Sequence, residues 1–387
     1  MKLNDIKLTR IIHPIGQGGF YSETLRCDDK EINVIYDCGG NNIITMQNYL
    51  ECYYPNGCNK EIDAVFISHL HDDHINGLMY LLDNYGVKFL FLPQLDEEEK
   101  LEVLLYNILK NEGVPAYFEF LNLILNINQN KENEYKETKI IRVSHFDGDI
   151  PINTEINNSI DKNIKDELLN INEIKTGTKI HFEQKWLFIP YNPPVIGNNS
   201  KSFLDVFKEE IGLSDFKIKD LSNIVKKIGL DKCKKIYNKY FKNNHNAYSM
   251  TLFSGVAEPG CRFNHYCDYY EDICFCLPHR RNRKPWYSPN CLYTGDFDAK
   301  KQFKNLKSFY GPLWKTIDLI QVPHHGSRNN FCPLMFENAH HGFVSVGEGN
   351  RYHHPNVDTL IGIKQMHCDL SIITESLSSI KMYHYEI

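Results

Sequence analysis

The stretch Ser68-His69-Leu70-His71-Asp72-Asp73-His74 follows the apolar run Ala64-Val65-Phe66-Ile67, and it decides how the rest of the chain is read. Three histidines and two acids within six residues are too polar for a core. At the end of a strand, the spacing H-x-H-x-D-H can aim its side chains at two adjacent points. Imidazole nitrogens and carboxylate oxygens are the ligands that borderline divalent cations prefer. A solvated polar loop is the plain alternative. The pattern therefore predicts a strand over 64–68 that delivers a metal-binding loop.

Upstream, 8–13 and 33–36 read as two strands around the turn Gly16-Gln17-Gly18-Gly19, the second ending at Asp37. Downstream, 76–84 has helical spacing, with Leu78, Leu81 and Leu82 on one side. Residues 88–92 read as the next strand, stopped by Pro93. The stretch 96–110 reads as a helix, with Asp96, Glu97, Glu98 and Glu99 in the first turn, where the helix dipole favours acids. From about 125 to 180 the signal weakens, with 139–143 alternating among asparagine-rich linkers, and 186–190 reads as strand again. Residues 201–244 are helical and lysine-rich, with 11 lysines against six acids. Strands return at 249–253, 292–294, 317–322, 343–346 and 371–374. Strands at both ends with helices between them predict two sheets packed together and flanked by helices.

The chain has 387 residues, 42% of them hydrophobic, enough for one large α/β domain with insertions or for two ordinary ones. A net charge of −6 neither demands nor excludes a polyanionic partner. The first residues lack the apolar segment of a secretory signal, and no apolar run reaches the roughly 20 residues of a membrane span. A cytoplasmic protein without membrane association is expected. The 12 cysteines are then expected as reduced thiols or metal ligands.

With its H-x-H-x-D-H loop after a strand, the chain resembles the metallo-β-lactamase superfamily. That resemblance implies an α/β fold, the αββα four-layer sandwich, here with helical insertions. It implies a single domain over 1–387, with 201–244 and the Cys/Arg-rich hairpin 256–290 as insertions. Asp37 matches the acid that ends an early strand in that family, which implies a brace for the ligand loop. His245, four residues ahead of Ser249 and a strand, matches the third ligand of the first metal. The usual glycine-threonine context is absent there, and a surface histidine is the alternative. Asp296 in Tyr293-Thr294-Gly295-Asp296 stands where the family places the ligand bridging both metals. Class B1 lactamases carry cysteine there and lack the final histidine of the first motif, so Asp296 with His74 implies a two-metal hydrolase instead. In Val322-Pro323-His324-His325-Gly326-Ser327 the last ligand matches His325, with His324 as the alternative.

Several segments together resemble one branch, the metallo-β-lactamase-like domain of the competence protein ComEC. They are Gly16-Gln17-Gly18, the T-G-D of Asp296, the P-H-H-G-S loop, and Val346-Gly347-Glu348-Gly349-Asn350-Arg351-Tyr352-His353-His354-Pro355. Gly19 stands where that branch usually has an aspartate, and 95–180, 198–244 and 256–290 exceed a minimal domain. The resemblance implies phosphodiester hydrolysis on DNA by a metal-bridging hydroxide between two cations about 3.5–4 Å apart. His69, His71 and His245 would take the first metal and Asp73, His74 and His325 the second, with Asp296 shared. Zinc is the first expectation and manganese is also accepted by these donors. Asp73 would orient the nucleophile, and His354 would protonate the leaving oxygen, because imidazole titrates near neutral pH, or else serve as a structural histidine packed before Pro355. Ser327 and Asn350 would hydrogen-bond a phosphate oxygen, or else stabilise turns.

Two accessory features keep two readings each. Cys261, Cys267, Cys274 and Cys276, with His265 and His279 nearby, would form a second metal site or serve as buried thiols. His279-Arg280-Arg281-Asn282-Arg283-Lys284-Pro285-Trp286-Tyr287 suits phosphate neutralisation and base stacking, or a solvated loop. The leading expectation is a dinuclear-metal-dependent nuclease with DNA as substrate. The alternatives are a hydrolase of a small ester, lactone or nucleotide, and a non-catalytic regulatory module. A cytoplasmic nuclease needs restraint, so a regulatory protein partner is also expected. Oligomeric state is left open.

Overall fold

The computed structural model describes residues 6–54, 61–110, 115–126, 137–148, 158–159, 171–183, 185–194, 202–241, 249–256, 264–266 and 288–386. Strand alternation accounts for its layers. Along Val87–Pro93, Phe89 and Phe91 point into one apolar cluster while Leu90 and Leu92 point into another. Along Trp186–Tyr191, Trp186 and Phe188 enter that same central cluster, and Leu187, Ile189 and Tyr191 enter a third. Three apolar layers thus separate helices, sheet, sheet and helices. This is an αββα sandwich with helical insertions.

Among the described residues the first sheet has nine strands. Its inner run is parallel: Lys30–Cys38, Ile62–Phe66, Val87–Pro93 and Lys139–Val143. Ile6–Ile12, Phe20–Cys27 and the C-terminal Lys381–Glu386 extend it in antiparallel fashion. The second sheet has eight strands among those described. Its parallel run is Cys291–Tyr293, Leu319–Gln321, His341–Ser345 and Asp369–Ile373. Asp37 lies at the carboxyl end of its strand, and the histidine loop, Asp296 and His325 follow the carboxyl ends of theirs, where open α/β sheets leave a crevice.

Several elements differ from expectation. Residues 7–37 hold three strands rather than two, because Phe20–Cys27 carries Ser22, Glu23 and Thr24 at positions a simple alternation reads as solvent-facing. Glu23 is in fact buried, because Arg10 opposes it. The helices Ile43–Tyr53, Ala299–Tyr310 and Val357–Gln365 were not foreseen, nor was the strand Lys381–Glu386. The lysine-rich segment holds three helices, Phe203–Ile211, Leu221–Ile228 and Leu230–Tyr240. Their Phe203, Phe207, Leu221 and Tyr237 are buried in the same cluster as Leu101, Leu104 and Leu105 of the helix Glu97–Lys110. Among the described residues no helix is long and apolar enough to cross a membrane.

One polar network crosses the apolar layer between the sheets. Arg10 Nε donates to Glu23 Oε1 at 2.8 Å, and Tyr293 donates its hydroxyl to the same oxygen at 2.7 Å. Ser254 donates to Glu23 Oε2 at 2.6 Å, and Trp186 Nε1 donates to Ser254 Oγ at 3.0 Å. Arg10 and Glu23 come from the first sheet; Tyr293, Ser254 and Trp186 come from the second. Removing one partner strands a buried charge. Glu23→Ala is therefore expected to destabilise the fold by roughly 3–5 kcal/mol in urea unfolding; a loss below about 1 kcal/mol would show that the network is not needed.

Candidate metal centre

Asp37 begins the site. Its Oδ1 accepts from the Ser68 amide at 2.7 Å, and its Oδ2 accepts from Ser68 Oγ at 2.8 Å and from His74 Nδ1 at 2.8 Å. A carboxylate can only accept, so His74 carries its proton on Nδ1 and presents Nε2 as a lone pair. Ser68 has given its hydrogen to Asp37, so its oxygen accepts from His69 Nδ1 at 3.0 Å. His69 therefore presents Nε2 as well. His325 repeats the device, with Nδ1 donating to the Ser345 carbonyl at 2.9 Å. In each case one ring nitrogen is held by the protein, which fixes where the other points.

Those three free nitrogens converge on two carboxylates. Asp296 turns Oδ2 to His69 Nε2 at 3.8 Å, and Oδ1 to His74 Nε2 at 3.2 Å and His325 Nε2 at 3.6 Å. Asp73 Oδ2 lies 3.4 Å from His325 Nε2. Two groups result in which ligand atoms lie within 4.8 Å of one another: His69, His74 and Asp296, and Asp73, His74 and His325. The Nε2 atoms of His69, His74 and His325 are buried and have no hydrogen-bond partner. A buried lone pair without a donor is costly, and a cation satisfies all three at once. The residues present fit a pair of divalent metals.

The charge balance agrees. Burial alone would raise the Asp73 and Asp296 carboxyls. For Asp73, His74 and His325 outweigh burial; for Asp296, His324, His74 and His325 do so, and both acids end well below the usual carboxylate range. Burial would lower His74, yet Asp296, Asp37 and Asp73 hold it well above the ordinary imidazole value. The three acids therefore favour positive charge at this point.

Two glycines make the close approach possible. Gly295 has φ +50°, and a Cβ there would lie 2.5 Å from Ser68 Cβ. A Cβ at Gly19 would lie 2.9 Å from Asp37 Oδ2 and 3.0 Å from His74 Nδ1. That crowding is a physical reason for glycine, rather than aspartate, at position 19.

Residues 26–149 match the family described as the Metallo-beta-lactamase superfamily. Two β-sheets flanked by helices are consistent with the fold of that family. Curated proteins return no match. Among solved structures, the chain is similar to the metallo-beta-lactamase fold protein YhfI from Bacillus subtilis, at 10% identity and TM-score 0.37, covering 95% of this chain and 98% of that one. It is also similar to a beta-lactamase domain protein from Burkholderia ambifaria, at 16% identity and TM-score 0.19, covering 30% of this chain and 37% of that one. A His/Asp cluster of this kind characterises the catalytic hydrolases of the metallo-β-lactamase fold. The protein is a metal-dependent hydrolase.

The other expected residues fall in several places. His71 belongs to neither triad; its Nε2 faces Glu102 Oε1 at 3.4 Å and its ring stacks on Tyr106. His324 sits beside the cluster, with Nε2 at 3.7 Å from Asp296 Oδ2. Its ring centroid is 6.1 Å from that of His354. Burial, then His324 and His325, lower His354 to about 4. Burial and the neighbouring histidines thus favour the neutral ring of His354. Asn350 spends both amide hydrogens on the carbonyls of Gly347 and His354, at 3.0 and 2.7 Å, and shapes its own loop. Ser327 is buried and stabilises a turn, its oxygen accepting from the Asn329 amide at 3.4 Å. His245, Arg280, Arg281 and the cluster Cys261, Cys267, Cys274 and Cys276 lie outside the described residues.

Sequence reading missed Ser68, Ser345 and Glu102 as supports. A serine before the first histidine and an acid inside a leucine-rich helix were the available signals. Protein prepared without chelators is expected to carry about two equivalents of divalent metal by elemental analysis. Asp37→Ala is expected to weaken metal retention by about 10–100-fold in chelator competition; unchanged retention would remove the brace from this account.

Proposed function

We propose that the protein is a two-metal phosphodiester hydrolase, a nuclease acting on DNA. One observation carries the reading: the two triads share His74, and Asp296 turns one oxygen to each side. That arrangement suits two adjacent cations rather than one. Bound there, two divalent cations supply Lewis acidity and a nucleophile from water at neutral pH, as in-line displacement at phosphorus requires. His69, His71 and His245 would hold the first, Asp73, His74 and His325 the second, with Asp296 between them. Zinc is the first choice of metal, and manganese suits the same donors.

The rim supports a nucleic-acid substrate. The Asn356 amide and the Thr359 hydroxyl both donate to the Gly326 carbonyl, at 3.0 and 2.9 Å, so the two loops that resemble the ComEC branch stand side by side. His324, beside Asp296, and His354, with ring centroids 6.1 Å apart, would serve as hydrogen-bonding groups. Tyr352, 69% exposed, stacks on His354 and offers a face to a base. Asp73, with 27% of its side chain exposed, would orient the attacking oxygen. Arg280, Arg281 and Arg283 would neutralise phosphates further along the strand.

One panel tests this reading. Linear and circular DNA, RNA, bis-p-nitrophenyl phosphate and a lactone are offered with zinc or manganese. Cleavage of DNA and of the phosphodiester is expected, and loss of both in Asp73→Ala/His74→Ala. Turnover of the lactone alone would replace the proposal with a small-ester hydrolase. Charge reversal at Arg280, Arg281 and Arg283 is expected to raise KM for DNA by about tenfold or more at low salt while leaving the small phosphodiester unaffected. Equal behaviour towards DNA would argue against a polymer substrate.

A further inference from the structure

His71 is held differently from the other histidines of the cluster. Its Nε2 lies 3.4 Å from Glu102 Oε1, and its ring lies on Tyr106 with centroids 4.0 Å apart and planes at 21°. From the same helix, Asn107 Nδ2 donates to the Leu70 carbonyl at 2.8 Å, fixing the backbone between His69 and His71. Behind Glu102 stands Tyr237 of the helix Leu230–Tyr240, whose hydroxyl donates to the same Oε1 at 2.7 Å. His71, Glu102 and Tyr237 are all buried. The lysine-rich segment grips this helix at a second point, where the Phe203 amide and the Tyr240 hydroxyl donate to Glu98 Oε1 at 2.8 and 3.2 Å.

A carboxylate accepts and cannot donate, so the contact with Glu102 places the proton of His71 on Nε2 and its lone pair on Nδ1. The Tyr237 hydroxyl holds that carboxylate in one rotamer. Burial, reinforced by Glu102, raises the Tyr237 phenol far above its ordinary value, so it remains a donor. We propose that Glu102 and Tyr237 are positioning residues for His71, so that the segment 202–241 sets how tightly the first metal is held. This rests on the reading of His71 as a ligand.

The full chain is the material, with zinc affinity from chelator competition and cobalt(II) absorption as readouts. Glu102→Gln keeps the shape but gives an amide that donates as well as accepts, so the tautomer of His71 is no longer enforced. It is expected to weaken binding of one metal equivalent by about 10–100-fold and to alter the cobalt spectrum. Tyr237→Phe, the milder change, is expected to weaken it by about tenfold while moving the melting temperature of the metal-free protein little. His71→Ala separates the two ways of failing. Loss of a metal in His71→Ala with unchanged affinity and spectrum in both other variants would overturn the positioning role and leave the ligand. Full metal retention in His71→Ala would overturn the ligand reading and the proposal with it. A lowered melting temperature with unchanged affinity in Tyr237→Phe would mark the contact as packing and also overturn the proposal.

Discussion

Everything at the metal centre depends on one buried carboxylate. Asp37 sits at the end of a central strand with φ +57°, a region that non-glycine residues seldom occupy. From there it takes three hydrogen bonds from two residues of the neighbouring loop. Each bond does two things: it neutralises part of the cost of burying Asp37, and it fixes the direction of a ligand. Ser68 passes the constraint on to His69, and His74 receives it directly. His324, His325 and His353 also have positive φ, and all lie in the cluster or on its rim. Such conformations cost roughly 1–3 kcal/mol each and persist where the surroundings leave no alternative.

The site is divided between two sheets, so their relative placement matters as much as the loops. Asp37 and the first histidine loop belong to one sheet, Asp296 and His325 to the other. Apolar packing alone holds sheets together but tolerates sliding. The Arg10–Glu23–Tyr293–Ser254 network does not, because its directional bonds to the buried Glu23 carboxylate form in one register. A second tie runs from Tyr36 of the first sheet, whose hydroxyl donates to the Met250 carbonyl at 2.7 Å. Asp296 and His69 are thereby brought to opposite sides of one small volume.

Helices outside the sandwich then reach inward. Asn107 and Glu102 touch the histidine loop, and the lysine-rich segment packs behind them with its apolar faces buried. Its exposed lysines are the solvated side of an amphipathic layer whose other side is core. The segment that reads as an insertion in the sequence packs, in three dimensions, against the helix whose Glu102 and Asn107 touch the histidine loop.

How much was legible in advance follows from the range of the forces involved. The H-x-H-x-D-H loop, the acids of the helix Glu97–Lys110 and the alternating apolar strands are local patterns, and one chain segment shows each in full. The choice of Asp296 and His325 came from motif resemblance, and the structure brings both to the first loop. Four features had no local signature: the burial of Glu23, the spent amide of Asn350, the lowered His354 and the turning of His71 towards Glu102. Each depends on a partner contributed by another segment, or on how deeply the fold encloses the group. Sequence by itself determined which side chains are able to bind a metal. Tertiary structure alone decided which nitrogen each of them presents, because that is set by hydrogen bonds between residues distant in the chain.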